Sequence, residues 1–343
     1  MKVKELAEIL HLSPSTVSLV LNGRPGISDE TRKKVKDAVV ELGCEDMFNI
    51  KEKKQGTLLF VVYRKNVIGD DKAHYFSQVF SEIIEGVEHQ AKNRDFQLMI
   101  TYTDEQRLEE ELIRISEVNA DGILLLATEM KEGQINNFLK LGIPTVMIDN
   151  YMLNHPCDCV TINNEMGVYD AISYLKELGH KKIGYLHIVQ NAKNFEERYY
   201  AFLSAMKRVN LTLEEKLILQ FNTSAGNNLR DKLLKELGEL KEMPTAFFAD
   251  NDIMAIFALQ ALKKLGYKVP EDVSLIGFDN MPMSEMMETP LTTIYSPKKK
   301  LGVAAVNLLI DKMEESSAGS FKMEISTSLI VRKSVRNVRE EDE

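Results

Sequence analysis

The residues of this 343-residue chain best suited to directed hydrogen bonding gather in two places. One is a run of small polar side chains near the amino terminus: Ser15, Thr16, Ser18 and Asn22. Hydroxyls and an amide on a short helix suit phosphate oxygens and base edges. The same hydroxyls could instead serve as caps in a plain three-helix bundle. The other place is a set of residues just past apolar runs. Asp279 follows Phe278, Asn251 follows Phe248-Ala249-Asp250, and Arg198 begins a helix after the run 182–187. Polar residues there line the ligand crevice of open α/β sheets. An Asp and an Arg facing one cleft clamp hydroxyls or carboxylates. Phe221 ends another strand and could stack on a flat ligand face. Each has a structural reading too: Asp279 as a turn cap, Arg198 as an ion pair, Phe221 as core.

Enzyme chemistry finds little to use. The chain has no G-x-G-x-x-G after a strand, no G-x-x-x-x-G-K-[ST], no G-x-S-x-G and no H-E-x-x-H. Its six histidines lack metal-ligand spacing. His180, in a Gly-His-Lys-Lys turn, reads as a cap or a buried hydrogen-bonder. Cys44, Cys157 and Cys159 cannot make a disulfide framework and read as reduced thiols. Neither a cofactor nor a metal is expected.

Composition sets the class. Hydrophobic residues at 44% and charged residues at 28% are an ordinary soluble balance. A net charge of −9 by itself argues against nucleic acid. Residues 1–36, however, hold seven Lys or Arg against four Asp or Glu, so the acidity lies elsewhere. The longest apolar runs, 58–63 and 123–127, fall far short of the ~20 residues of a membrane span. The charged opening Met1-Lys2-Val3-Lys4-Glu5 has no apolar core of a secretory signal. A cytoplasmic protein without a membrane partner is expected.

The elements that must position these residues follow from periodicity. Leu6, Ile9 and Leu10 share a face of a helix over 3–10. Ser13 caps a second helix with Pro14 in its first position, ending at Asn22-Gly23. Ser28 caps a third, which Gly43 stops. Two short helices across a tight turn, with a third in support, have helix-turn-helix geometry. Beyond residue 57, strands and helices alternate: strands near 57–63, 96–102, 122–127 and 145–149, then 182–187, 217–221, 245–248 and 273–278. That order predicts two doubly wound parallel sheets with a cleft between their strand ends.

The segment Leu12-Ser13-Pro14-Ser15-Thr16-Val17-Ser18-Leu19-Val20-Leu21-Asn22-Gly23, followed by Ile27-Ser28-Asp29-Glu30-Thr31-Arg32, resembles the headpiece of the LacI/GalR family. The resemblance implies phosphate contacts from Thr16, Ser18, Asn22, Ser28 and Thr31. It implies base-edge contacts from Ser15 and Leu19, with Pro14 beside them. Leu19 departs from the Arg usual there and offers only apolar contact, for instance to a thymine methyl. The linker departs further, lacking the family's RPN and A-x-x-L hinge pattern. Phe48 or Ile50 could still wedge into a minor groove and Lys51, Lys53 and Lys54 follow phosphates, or the stretch is a plain charged linker.

The body resembles the same family across nearly all of 57–333. Its motifs are Val160-Thr161-Ile162-Asn163-Asn164, Leu178-Gly179-His180-Lys181-Lys182-Ile183-Gly184-Tyr185, Glu197-Arg198, Phe248-Ala249-Asp250-Asn251-Asp252, Val273-Ser274-Leu275-Ile276-Gly277-Phe278-Asp279-Asn280 and Pro290-Leu291-Thr292-Thr293-Ile294. The implied fold is that of sugar-binding periplasmic proteins, the chain crossing between subdomains near 161, 290 and 323. The implied domains are a headpiece (1–43), a linker (44–56), a first subdomain (57–160 with 291–322), a second (161–290 with 323–333) and a charged tail (334–343). Effector contacts are implied at Arg198, Phe221, Asn251 and Asp279. Asn194, Asp149 and the stretch 75–79 come second. The absence of Trp tempers a sugar, since sugar-binding relatives often stack one on the ring.

The function so implied is a DNA-binding transcriptional repressor, a homodimer on operator DNA, controlled by a carbohydrate in the cleft. A nucleobase or a protein co-regulator is the alternative effector. A cytoplasmic solute-binding protein without a DNA role is the alternative of another class.

Overall fold

The computed structural model describes residues 2–21, 26–44, 56–64, 73–190, 192–222, 229–314 and 319–339, with side chains excepted at 29 and 73–79. Asn22, the linker residues Phe48 to Lys54 and the side chains of 75–79 therefore lie outside the described residues. The chain divides into two units, Met1–Gln55 and Gly56–Glu343.

The first unit holds α1 (Val3–Leu10), α2 (Pro14–Leu21) and α3 (Asp29–Glu41). Leu6, Ala7 and Leu10 meet Val17, Val20, Val35 and Val39 in one buried cluster, which Cys44 joins. Burying each Leu or Val fully contributes about 1.5–3 kcal/mol, which suffices for so small a core. α1 ends because His11 turns left-handed at φ 53°, and α2 starts three residues on, at Pro14. The main-chain N–H of Lys2 donates to Glu5 Oε2 at 2.7 Å, closing the start of α1.

The second unit contains two sheets. The first orders β11-β5-β4-β3-β1-β2, the second β12-β10-β9-β8-β6-β7. β1 is Gly56–Tyr63, β2 Phe96–Thr103, β3 Gly122–Leu126, β4 Thr145–Ile148, β5 Asp158–Ile162 and β6 Ile183–Val189. β7 is Ile218–Asn222, β8 Ala246–Ala249, β9 Ser274–Asp279, β10 Thr292–Tyr295, β11 Lys322–Ile325 and β12 Ser328–Ile330. All described pairings are parallel except that of β10 with β12. Parallel strands need crossover helices, which cover both faces and make β3 and β8 wholly buried apolar runs.

The helices that matter below are α4 (Ala73–Asn93), α5 (Leu108–Glu117), α6 (Ile135–Leu139), α7 (Asn164–Glu177), α8 (Lys193–Arg208), α9 (Leu229–Gly238), α10 (Asp252–Lys264), α11 (Pro282–Glu285) and α12 (Lys298–Glu314). α4 and α12 touch backbone to backbone. A Cβ on Gly302 would stand 2.4 Å from the Ile83 carbonyl oxygen, so only glycine fits there. No helix among the described residues is long and apolar enough to cross a membrane.

Three expected boundaries move. β10 pairs with β9 in the second sheet, so residues 292–295 do not belong to the first subdomain and the crossing follows Tyr295. β11 pairs with β5 in the first sheet, so the last crossing follows Ile325 rather than 323. The segment from 334 is packed to Val338: Ser334 is wholly buried, its hydroxyl donating to the Leu275 carbonyl at 2.5 Å, and Val338 N–H reaches the Leu178 carbonyl at 2.9 Å. Strand partners decide sheet membership, and an apolar run does not reveal its partner.

Candidate functional site

In the headpiece the caps organise the polar face. Ser13 Oγ accepts the Thr16 N–H at 3.0 Å and lies 2.8 Å from the hydroxyls of both Ser15 and Thr16. Ser28 Oγ accepts the Thr31 N–H at 3.3 Å and meets the Thr31 hydroxyl at 2.8 Å. In each hydroxyl pair either oxygen can be the donor, so an O–H can turn to an outside phosphate oxygen, and each helix start presents a positive dipole end. Pro14 and Ser15 are exposed, Thr16 and Ser18 half-buried. Leu19 is 38% exposed while Val17 and Val20 are buried, so α2 has an open face and a core face. Seven of the expected DNA-contact residues thus sit on α2 and at the start of α3, with Asn22 outside the described residues.

In the body one chain of hydrogen bonds spans the two sheets' ends. Asp149 follows β4 with φ 64°. Its Oδ2 accepts from Thr128 Oγ1 at 2.6 Å, and its Oδ1 accepts from Asn194 Nδ2, across on α8, at 3.0 Å. Asn194 Oδ1 accepts from Asn164 Nδ2 at 3.1 Å, and Asn164 Oδ1 accepts from Arg198 Nε at 2.8 Å. Arg198 Nη1 donates to the Asp250 carbonyl, and Nη2 lies 3.8 Å from Asp279 Oδ1. The guanidinium sits 3.7 Å from the centre of the Phe278 ring. Asp279 Oδ1 also accepts from Ser296 Oγ at 3.1 Å and stands 3.4 Å from Lys298 Nζ. Asp149, Asn194, Arg198 and Asp279 are therefore brought together.

Burial sets the electrostatics. Arg198 and Lys298 are almost wholly buried, which is tolerable only because each has several oxygen partners. Burial also pushes the Asp149 carboxyl above the usual range, against hydrogen bonds from Thr128 and Asn194 and the Arg198 charge. Asp252, wholly buried at the start of α10, is pushed up to about 6 by the same cause. It accepts from Ser284 Oγ and Thr293 Oγ1 at 2.5 Å each and from the Met281 N–H at 2.7 Å. It thereby anchors the turn after Asp279 to β10.

Two expected contacts sit differently. Asn251 caps α10, its Oδ1 accepting the Met254 N–H at 2.8 Å, which leaves its amide NH₂ as the group able to meet a ligand. Phe221 is 1% exposed and packs in the apolar cluster with Leu219, Leu233 and Leu237. A stacking role would need that ring to leave its core. His180 is fully buried, with Nδ1 2.9 Å from Thr245 Oγ1 and Nε2 3.1 Å from the Arg336 carbonyl. Burial lowers its pKa. Burial also holds Cys157 up at about 12 and Cys159 at about 11, so both stay thiols.

Sequence reasoning missed Thr128, Asn164, Asp250 and Lys298 as members of the network. Asn164 and Asp250 stood inside the quoted motifs, and polar residues crowding the end of an apolar run were the signal available. A cavity of about 320 Å³ opens beside the network, between Met130, Asn150 and Met152 on one side and His187, Lys193 and Tyr199 on the other.

Residues 2–44 match the family model of bacterial regulatory proteins, lacI family, and residues 172–335 match that of the periplasmic binding protein-like domain. The HTH-type transcriptional repressor PurR of Mannheimia succiniciproducens is 31% identical over 341 residues, covering 98% of this chain and 99% of that protein. Among solved structures, the complex of the transcriptional regulator CelR with cellobiose superposes with a TM-score of 0.69 at 24% identity, over 97% of this chain and 99% of that one. The lac repressor dimer bound to operator and the anti-inducer ONPF superposes with a TM-score of 0.67 at 20% identity, over 98% and 99%. These two likenesses show the fold.

Proposed function

The chain belongs to the lacI family of bacterial regulatory proteins, and from that premise we propose what controls it and what it assembles with. It is a DNA-binding transcriptional regulator with a ligand-binding body. The proposed reading is a cytoplasmic homodimeric repressor whose operator affinity is set by a small carbohydrate in the cleft. The observation that carries it is the Asp149–Asn194 hydrogen bond between the two halves, continuous with the Arg198–Asp279 pair. Two carboxylates, two amides and a guanidinium in one cleft offer both acceptors and donors, as a polyhydroxyl ring requires. The likeness to a regulator solved with cellobiose supports the same ligand class.

Control works by linkage. A ligand that prefers one arrangement of the halves shifts the population, and operator affinity changes reciprocally. A coupling of about 1–3 kcal/mol changes that affinity about 5- to 150-fold. The dimer is supported by exposed apolar side chains at one edge of the first sheet: Ile100 and Tyr102 share a face of the edge strand β2, and Met99 on its other face and Ile113 on α5 are exposed as well.

A melting screen against mono- and disaccharides, sugar acids and nucleobases tests the reading. A ligand at 100 times its dissociation constant adds about 2.7 kcal/mol. A sugar whose shift disappears in Asp279→Ala supports the reading. A nucleobase hit replaces the ligand class and leaves the regulator. Removing residues 1–55 should abolish operator binding and keep the ligand shift; loss of the shift alone would point to a misassigned cleft.

A further inference from the structure

Next to the cleft stands a buried cluster built on the Asp250 carboxylate, which the network above does not use. Asp250 is fully buried at the end of β8. Its carboxylate accepts from Tyr185 Oη, from the Ile188 N–H at 2.5 Å and from His187 Nδ1 at 2.8 Å. Tyr185 Oη and the Ile188 N–H can only donate here, and Asp250 takes a proton from Nδ1 as well; in the neutral ring that tautomer leaves Nε2 its lone pair. The His187 ring packs at a tilt against Tyr185, at 5.3 Å, and Tyr199, at 4.8 Å, which are themselves stacked 6.3 Å apart. Its orientation is thus set by the Asp250 bond on one edge and by the tyrosine pair beside it. The remaining edge, with Nε2, meets no partner among the described residues and is not sealed in. His187 lines the 320 Å³ cavity, together with the carboxylates of Glu132 and Glu196 and the rings of Tyr199 and Tyr200. Glu196 is engaged by Lys193 at 2.8 Å, and Glu132 takes the Asn154 N–H at 3.1 Å. Lys193 lines the same wall, so the cavity presents an ammonium donor as well as carboxylate acceptors.

We propose that this cavity is a ligand subsite in which His187, fixed by Asp250, is the specificity-determining acceptor for a hydroxyl or amine of the bound molecule. The subsite takes a ring that rests against Tyr199 and Tyr200 and presents a donor to His187. It is joined to the cleft through Asp250, whose carbonyl receives Arg198 while its carboxylate holds His187. This ligand class rests on the carbohydrate reading above.

The test uses the full-length protein, with cellobiose, maltose and glucosamine as probes. Diethyl pyrocarbonate acylates an accessible imidazole nitrogen bearing a lone pair, and peptide mass spectrometry reads the site. His187 should react and His180, both of whose ring nitrogens are bonded, should not. A binding probe should slow modification of His187 several-fold. In His187→Phe, which keeps an aromatic ring beside the two tyrosines, the same probe should bind about tenfold more weakly, the worth of one hydrogen bond. His187 as inert as His180, or a probe that binds His187→Phe as it binds the native chain, overturns the proposal. If the variant does not fold, protection in the native chain decides. A panel in which nothing binds defeats the carbohydrate reading, and reactivity of His187 then still shows whether the acceptor edge is open.

Discussion

Asp252 makes the stability of the second sheet depend on pH in a way opposite to most acids. Burial pushes its carboxyl from an ordinary 3.8 to about 6. The folded state therefore holds the proton more tightly than the unfolded chain does. The stabilisation is fully present below about 4, is lost as pH rises through about 6, and stays lost above that. At 1.36 kcal/mol per pKa unit the change amounts to about 3 kcal/mol. Asp252→Asn removes the titration and can keep the geometry. Its amide oxygen would take the Met281 N–H and the Ser284 hydroxyl, and its NH₂ would donate to Thr293 Oγ1, replacing bonds of 2.7, 2.5 and 2.5 Å. Urea unfolding of both proteins at a series of pH values from 4 to 7.5 isolates this one group, because every other carboxyl cancels in the difference. The native chain should lose about 2 kcal/mol relative to the variant across that range, since part of the change falls below pH 4. A difference constant to within about 0.5 kcal/mol would show that Asp252 ionises as easily in the fold as out of it, and the reasoning from burial would fail.

Arg198→Lys keeps the charge and loses the planar fork that serves Asn164 and the Asp250 carbonyl. We expect about 2–4 kcal/mol lower stability by denaturant titration, and ligand affinity down at least tenfold by calorimetry. Ser13→Ala removes the cap of α2 and should cost the headpiece about 1 kcal/mol. Fluorescence anisotropy should show weaker DNA binding, while the melting transition of the body stays where it was. Leu19→Ala should leave stability within about 0.5 kcal/mol, since the side chain is exposed. Selection from a random duplex pool should nonetheless return a different sequence preference, and an unchanged one would remove Leu19 from the base-reading set. Gly302→Ala puts a methyl 2.4 Å from a carbonyl oxygen of α4. Overpacking there should cost about 1–3 kcal/mol, visible as a lower melting temperature of the body.

The headpiece was legible in the sequence because its signals are local. Ser13-Pro14 and Ser28 mark helix starts by side-chain chemistry alone, and Leu6, Val17, Val20 and Val39 mark the core by spacing. Most of the body's strands were legible as apolar runs bounded by turns. β5 was not read as a strand, because its run Asp158–Ile162 begins with a charge. Phe221 lay open to a better reading. Leu219 and Phe221 alternate with Gln220 and Asn222, and period two already places the ring on the core face with Leu219.

What the chain determined by itself was which residues begin helices, which runs are buried, and which polar groups cap the ends of strands. Only the tertiary structure decided which sheet β10 and β11 join, because pairing is chosen between segments far apart in sequence. Only it placed Asp149 within reach of Asn194, 45 residues away, and gave His187 a carboxylate 63 residues on. Hydrogen bonds act over about 3 Å, and no spacing along the chain encodes that closeness until two sheets have packed.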